Sequence, residues 1–253
     1  MAPALTGAIP LEELTETTRH GGPSLQLLDS FELVCEGRHL ELPLPAQRLL
    51  AFLALHDQPM LRGYVAGTLW LDSNEAHAAG SLRSALWRIR RLGLRLVEAR
   101  GSRLELASVV AVDVRGVVAW ARRVLDPSSE LRGADVAPIW RPGQLLPDWY
   151  EDWVEIERER LRALRAHALE ALCHRLTAAG RFGEASEAGL AAVRDEPLRE
   201  SAHRVLIGLH LAEGNSAAAL HQYRAFALLL REEVGMAPSS RMELLMESMT
   251  GRP

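Results

Sequence analysis

The sequence predicts a mostly α-helical protein with a small β component, in which a mixed N-terminal domain precedes an all-helical C-terminal domain. Three observations predict this fold class. Short alternating apolar runs and three helical segments fill residues 24–114. Within them, residues 76–92 form an amphipathic helix with four arginines and no acid. After residue 114 the pattern is helical almost to the end, and small residues recur there at a fixed spacing.

Composition limits the class of protein. Of the 253 residues, 48% are hydrophobic and 25% are charged, which is typical of a soluble globular protein. No apolar stretch approaches the roughly 20 residues that cross a bilayer, and the acidic N-terminus is unlike a secretory signal. The cysteines, Cys35 and Cys173, match no metal or redox spacing. We therefore expect a cytoplasmic protein with two reduced thiols and no metal site.

The chain begins with an irregular segment and a small sheet. Residues 1–23 are rich in Thr, Gly, Glu and Pro and lack periodicity, which predicts a flexible N-terminal arm. Partly alternating runs that contain Leu25, Phe31 and His39 follow. They predict a small antiparallel sheet, with Gly37 supplying a turn.

Three helices come next. Pro45 suits the first turn of a buried helix that ends near residue 56. A second short helix is predicted over residues 62–70. The third helix is predicted over residues 76–92, and either Ser73 or Asn74 suits its N-cap.

The third helix has two unlike faces. At about 100° per residue, its apolar residues gather on one edge, and the opposite side is rich in arginine around Trp87. The apolar edge comprises Ala78, Leu82, Ala85, Leu86 and Ile89. Between residues 76 and 103, seven arginines stand against a single acid, Glu98, although the whole chain has a formal net charge of −4. This asymmetry predicts one face that binds a polyanion.

A hairpin with basic flanks follows the third helix. Residues 94–107 predict two short strands around Arg100-Gly-Ser-Arg103, and residues 109–114 predict a further strand. A sheet, three helices and a hairpin occur in this order in a winged helix-turn-helix domain, which we assign to residues 24–114. In that fold the third helix enters a DNA major groove, and the hairpin, called the wing, lies along the backbone or the minor groove.

The second half is helical. We predict a helix over residues 114–125, a Pro/Gly-rich connection that carries Trp140, and a long helix over residues 148–179. The apolar side of the long helix is assigned to Trp149, Trp153, Ile156, Leu161 and Leu164. Ala178, Gly180 and Ala185 recur 34 residues later as Ala212, Gly214 and Ala219, which is the tetratricopeptide period. Residues 115–253 are therefore predicted to form an all-α tetratricopeptide-like domain.

Six segments together carry a resemblance to a known family. In the first half they are Leu69-Trp70, Leu86-Trp-Arg-Ile-Arg-Arg-Leu92 and Val112-Asp-Val. In the second half they are Leu145-Leu-Pro-Asp-Trp-Tyr-Glu-Asp-Trp-Val, Glu157-Arg-Glu-Arg-Leu, and Tyr223 with Leu230-Arg-Glu-Glu-Val-Gly-Met-Ala-Pro-Ser. From about residue 24 to residue 248, the sequence resembles the Streptomyces antibiotic regulatory protein family of transcriptional activators. That family joins a response-regulator-type winged helix to a bacterial transcriptional activation domain of tetratricopeptide-like helices.

The sequence departs from this family at two places. The wing has Gly101-Ser-Arg where the family commonly has a Gly-Tyr step, and Leu71 follows Trp70 where Pro is common. These departures bear on the detailed wing contacts and leave the fold unchanged. A phosphate-binding P-loop motif is absent from the sequence, so we expect no nucleotide cofactor.

The resemblance implies what the protein does. It implies a non-enzyme that activates transcription of secondary-metabolite genes, such as those for antibiotic biosynthesis, and that is found at the nucleoid. It implies a homodimer or pair on direct DNA repeats about one helical turn apart. It also implies that the protein helps RNA polymerase to engage a poor promoter through the sigma subunit and the alpha C-terminal domain.

The candidate DNA-binding residues form three groups. On the recognition helix they are His77, Arg83, Ser84, Trp87, Arg88, Arg90 and Arg91; on the wing they are Arg100, Ser102 and Arg103; and at the start of the second helix there is Arg62. Arginine binds phosphates or pairs with guanine edges, and free N–H groups at a helix start bind phosphate. Arg83 and Arg90 could equally pair within the protein, and Arg62 and His77 could be ordinary surface residues. No set of residues resembles a catalytic site.

An alternative function belongs to a different class. The tetratricopeptide-like half could bind a peptide, and the winged helix could serve only as a docking module, which would make the protein an interaction scaffold. The aromatic residues Trp149, Tyr150 and Trp153 suit a hydrophobic anchor between the domains better than a ligand cage. Affinity for duplex DNA that falls steeply with salt would favour the activator over the scaffold.

Overall fold

The computed structural model describes residues 21–131, 135 and 143–250, with the side chains of 248–250 left out. The predicted arm, apart from residues 21–23, and Trp140 lie outside the described residues. In chain order the elements are β1 Ser24–Gln26, β2 Glu32–Cys35, β3 Arg38–His39, α1 Leu44–Leu55, β4 Met60–Leu61, α2 Arg62–Leu69, α3 Glu75–Arg90, β5 Val97–Arg100, β6 Arg103–Leu106, β7 Ala111–Val112, α4 Asp113–Leu125, α5 Asp152–Ala178, α6 Phe182–Asp195, α7 Glu200–Ala212, α8 Ser216–Val234 and α9 Ser240–Thr250. The architecture is the predicted one, with winged-helix-like strands and helices followed by an all-α region.

The chain divides into two compact units. The mixed unit holds the residues up to Trp120 together with 143–160, and the helical unit holds the residues from Ala121 to 135 together with those from Leu161 onward. This division falls within α4 and α5 and does not follow the boundary that the sequence suggests between residues 114 and 115.

The mixed unit contains two small sheets. The first has the strand order β3-β2-β1-β7, and its β2–β3 turn has positive φ at Glu36 (52°) and Gly37 (72°), as a type I′ hairpin turn requires. The second has the order β4-β6-β5 and includes the predicted wing hairpin β5–β6. Both hairpins match the sequence-based prediction.

The strand predicted over residues 109–114 is too long. Only Ala111–Val112 is extended, and it pairs in parallel with β1. Asp113 already begins α4, and its carboxylate accepts hydrogen bonds from the backbone N–H groups of Leu27 and Leu28 at 2.9–3.1 Å. Burial raises the pKa of Asp113, although these hydrogen bonds act in the opposite direction.

Residues 143–160 complete the core of the mixed unit. Trp153 packs edge-on against Phe52 of α1 with ring centroids 5.3 Å apart, and Trp149 stacks on Phe31 at 6.0 Å. Asp29 donates its backbone N–H to the carbonyl of Gln144 at 2.8 Å. The two tryptophans are thus hydrophobic anchors within this unit.

The predicted apolar side of the long helix needs two corrections. The helix begins at Asp152, so Trp149 precedes it. Ile156 is 67% exposed, because Trp153 and Val154 turn their own side of the helix toward the core. Upstream of the helix start, Tyr150 is 83% exposed and therefore anchors nothing.

In the helical unit, the residues that recur after 34 positions occupy equivalent places in the structure. Gly180 follows α5 and Gly214 follows α7, both with left-handed φ (71° and 76°), which a residue without Cβ adopts at little cost. The repeated Ala185 and Ala219 are fully buried in α6 and α8. Small residues at these positions let successive helices pack closely.

The helices pack closely around Gly189 of α6. A Cβ there would lie 3.0 Å from Leu206 Cδ1 and 3.1 Å from Cys173 Sγ. Burial also raises the pKa of the Cys173 thiol to about 11. On α7, the buried His203 stacks on Phe226 with ring centroids 4.1 Å apart.

Candidate nucleic-acid interface

The cap of α3 fixes where the arginine-rich helix begins. The Oδ1 of Asn74 accepts the backbone N–H of His77 at 3.0 Å, so Asn74 rather than Ser73 is the N-cap. The helix runs over Glu75–Arg90, one residue earlier at its start than predicted. Its first turn therefore includes one acid, Glu75, where a carboxylate interacts favourably with the positive end of the helix dipole.

The two faces of α3 are arranged as the sequence predicts. The apolar edge of Ala78, Leu82, Ala85, Leu86 and Ile89 is buried, with at most 6% exposure. Every candidate on the opposite face is exposed, namely His77, Arg83, Ser84, Trp87, Arg88, Arg90 and Arg91. The structure thus brings these seven side chains together on one solvent-facing side of one helix.

Trp87 lies between two arginines. Its side chain is 53% exposed. The guanidinium carbon of Arg91 lies 4.9 Å from the ring centroid, and that of Arg88 lies 5.6 Å from it. Both distances are within the range of cation–π attraction, which is worth about 0.5–1 kcal/mol at an exposed site. The ring therefore supports two guanidinium groups on the exposed face.

The arginines of α3 and those of the wing differ in their partners. In the described part of the chain, no carboxylate lies within ion-pair distance of the four α3 arginines 83, 88, 90 and 91. In the wing, the Nε of Arg100 lies 2.7 Å from Glu105, and Arg103 donates to the carbonyl of Pro59 at 2.9 Å. The charge on α3 is therefore open to an external anion, while that of Arg100 is partly neutralised.

The wing tip contacts the start of α2. The wing turns at Gly101, whose φ of 58° suits the first position of a two-residue II′ loop. The backbone N–H of Arg62 donates to the carbonyl of Ser102 at 2.9 Å. One of the backbone N–H groups at the start of α2 is therefore already satisfied within the protein. The contact does bring Arg62, Ser102 and Arg103 to one place.

An open groove of about 470 Å³ adjoins the arginine-rich face. Ser84 and Arg88 of that face line it, together with Pro43 and Pro45 at the start of α1, and Ser81. Sequence reasoning did not single out Ser81. The sequence feature that indicates this groove is the set of small residues at 80, 81, 84 and 85, which leaves one side of α3 without large side chains.

Other types of site are not seen in the part of the chain that the structure describes. No group of three or more His, Cys, Asp or Glu side chains there could hold a metal ion. Among the same residues, no helix is long and apolar enough to cross a membrane.

Comparison with known proteins gives one family and one fold. Residues 122–249, half of the chain, match the bacterial transcriptional activator domain, a family of transcriptional regulators and not of enzymes. The structure is similar to that of Mycobacterium tuberculosis EmbR in complex with a low-affinity phosphopeptide, with a TM-score of 0.66 and 19% identity. The match covers 92% of this chain and 66% of the EmbR chain, and at this identity it shows the shared fold. No curated protein sequence matches the chain significantly.

Proposed function

Because the chain belongs to the bacterial transcriptional activator domain family, we propose that it is a sequence-specific DNA-binding activator that reads duplex DNA with α3. The observation that carries the DNA-binding part is the exposed face of α3. Four arginines there have no carboxylate partner among the described residues, and an exposed tryptophan supports two of them. A surface of this kind attracts the phosphates of nucleic acid.

The side chains of α3 make different kinds of contact with DNA. Trp87 holds the guanidinium groups of Arg88 and Arg91 before DNA arrives, which lowers the ordering cost of binding. These two arginines contact guanine edges or phosphates in the major groove. Arg83 and Arg90 contact phosphates and fix the register. His77 and Ser84 donate hydrogen bonds from the same face.

The wing has a smaller part. The carboxylate of Glu105 competes with DNA for Arg100, so this arginine contributes less to affinity than an unpaired one does. Arg103 lies beside Ser102 and Arg62, and the three form a phosphate contact at the wing tip.

The wider function follows from the family resemblance. We propose that residues 24–114 form the DNA-binding domain and residues 115–253 the activation domain, and that two copies bind direct repeats as a homodimer. The protein then recruits RNA polymerase through its sigma subunit and alpha C-terminal domain to promoters of secondary-metabolite genes, including those for antibiotic biosynthesis. It acts in the cytoplasm, at the nucleoid.

A salt titration on selected DNA tests the proposal. The full chain is used to select binding duplexes from a randomised pool, and affinity is measured by fluorescence anisotropy at several salt concentrations. We expect log affinity to fall linearly with log salt, and the slope to decrease by about 0.9 for each phosphate that Arg88→Ala or Arg91→Ala leaves without its arginine. Arg224→Ala removes the same charge from an exposed position of α8 and serves as the matched control.

Two results contradict the proposal. One is the absence of duplex binding at low salt. The other is equal loss of affinity in Arg224→Ala and in the α3 variants, which would mean that only net charge matters. Duplex selection that fails while a peptide library yields a ligand for the helical unit would favour the scaffold.

A further inference from the structure

The acidic segment 148–159 combines side chains that hold it in the fold with side chains that lie at the surface. It contains six acids and one arginine. Trp153 is buried against Phe52, Trp149 is half-buried against Phe31, and Glu151 forms an ion pair with an arginine of α1. Arg158 donates to the carbonyls of residues 145, 146 and 149 at 2.7–3.0 Å. These contacts fix the backbone of the segment, so the side chains between them are held at the surface in a defined arrangement.

The surface residues form one face at the start of α5. Asp152, Glu155, Ile156 and Glu159 follow the spacing i, i+3, i+4 and i+7, which places them along one side of the helix. All four are exposed, and Ile156 has 67% of its surface in solvent. Tyr150, just before the helix, is 83% exposed. We call these five residues the acidic face.

Helix chemistry explains only part of the acidic face. Acids in a first turn interact favourably with the helix dipole, which suits Asp152 and Glu155. Glu155 also pairs with Arg158. The dipole gives no reason for a large aromatic ring and an isoleucine to stay in water among carboxylates. An exposed apolar surface with a polar rim is a common feature of protein interaction sites.

We propose that the acidic face binds a basic segment of RNA polymerase, in which Lys or Arg side chains flank an apolar residue that covers Ile156. The proposal rests on the proposed function, since it names the surface by which the activator contacts polymerase. Charge complementarity selects a cationic partner and excludes DNA, which the carboxylates repel. A second copy of this chain is the alternative occupant, which the sedimentation experiment below tests.

Direct binding without DNA tests the acidic face. The full chain is immobilised and purified bacterial RNA polymerase holoenzyme is titrated over it in biolayer interferometry. We expect Ile156→Ala to weaken binding about 10-fold, as truncation of a central apolar anchor does, and Asp152→Asn to weaken it less. Leu228→Ala and Glu232→Gln, at exposed positions of α8, are the matched controls and should bind as the wild type does.

The outcomes separate this proposal from the proposed function. Wild-type affinity for polymerase in Ile156→Ala and Tyr150→Ala would overturn the acidic face, as would a wild-type chain that binds no polymerase. A wild-type dimer in sedimentation that Ile156→Ala dissociates would assign the face to a second copy instead. Duplex affinity should be unchanged in every acidic-face variant. Loss of duplex binding by the wild-type chain contradicts the DNA-binding proposal alone, since the polymerase titration contains no DNA.

Discussion

Replacing Trp87 tests whether the exposed ring organises the DNA-binding face. Trp87→Ala removes the ring that lies 4.9 Å from one guanidinium carbon and 5.6 Å from the other. Each cation–π interaction is worth about 0.5–1 kcal/mol at an exposed site, so about 1–2 kcal/mol of ordering is removed from Arg88 and Arg91. At 1.4 kcal/mol per factor of ten, duplex affinity should fall about 5- to 30-fold. Because Trp87 is 53% exposed and outside the core, the free energy of unfolding should change little.

The salt dependence of duplex affinity distinguishes the loss of arginine ordering from the loss of charge. Anisotropy titrations of the Ala, Leu and Phe variants of Trp87 on a selected duplex should give the wild-type slope within about one unit, since no cation is removed. The Phe variant keeps an aromatic face and should recover part of the affinity, whereas the Leu variant should behave like Ala. Tighter binding by Trp87→Ala would refute the reasoning, because it would mean that the ring competes with DNA for the two arginines. A large fall in slope would refute it as well.

Three further predictions concern the helical unit and the thiols. Gly189→Ala should lower the free energy of unfolding by about 1–3 kcal/mol relative to Gly208→Ala, an open helical position, in urea melts. Burial lowers the pKa of His203 below 6.5, so the folded state binds fewer protons; stability should be full above that pH and fall below it, with a shallower fall in His203→Phe when melts are compared between pH 7 and 5. At neutral pH a thiol reagent should modify the half-buried Cys35 and spare Cys173, whose pKa is about 11, and equal labelling in the native state would contradict the buried assignment.

Hydrophobic periodicity was sufficient to predict α3 and its inner face. The five apolar residues of α3 are all buried. Apolar residues that recur at about the helical period fall on one side of a helix, and that side packs against the core. The recurrence after 34 residues likewise corresponds in the structure to equivalent turns at Gly180 and Gly214. Local chemistry was less decisive at element ends. Ser73 and Asn74 are both good caps, and only the hydrogen bond to His77 distinguishes them.

Contacts that depend on strand register or on the path of the chain could not be read from the sequence. The pairing of Arg100 with Glu105 depends on the register of the wing hairpin, which places Arg100 opposite Arg103. The backbone bond from Arg62 to Ser102 joins residues 40 positions apart. The prediction that Ile156 lies on the buried side of the long helix failed for a related reason. Its helix begins four residues later than predicted, and the phase of the buried side follows Trp153, which packs on a ring about 100 positions earlier.

The mixed unit has exposed cations on α3 and an exposed anion at the start of α5 that form no ion pairs among the described residues. On α3, Arg83, Arg88, Arg90 and Arg91 have no carboxylate partner among the described residues, and Asp152 at the start of α5 has no cationic one there. Elsewhere in the same unit, ion pairs such as Arg48–Glu151 do form. Pairing would neutralise both surfaces, and an isolated exposed ion pair adds little stability. A unit that leaves its cations and anions apart has one surface that attracts nucleic acid and another that repels it, so DNA bound at α3 leaves the acidic face open to a protein partner.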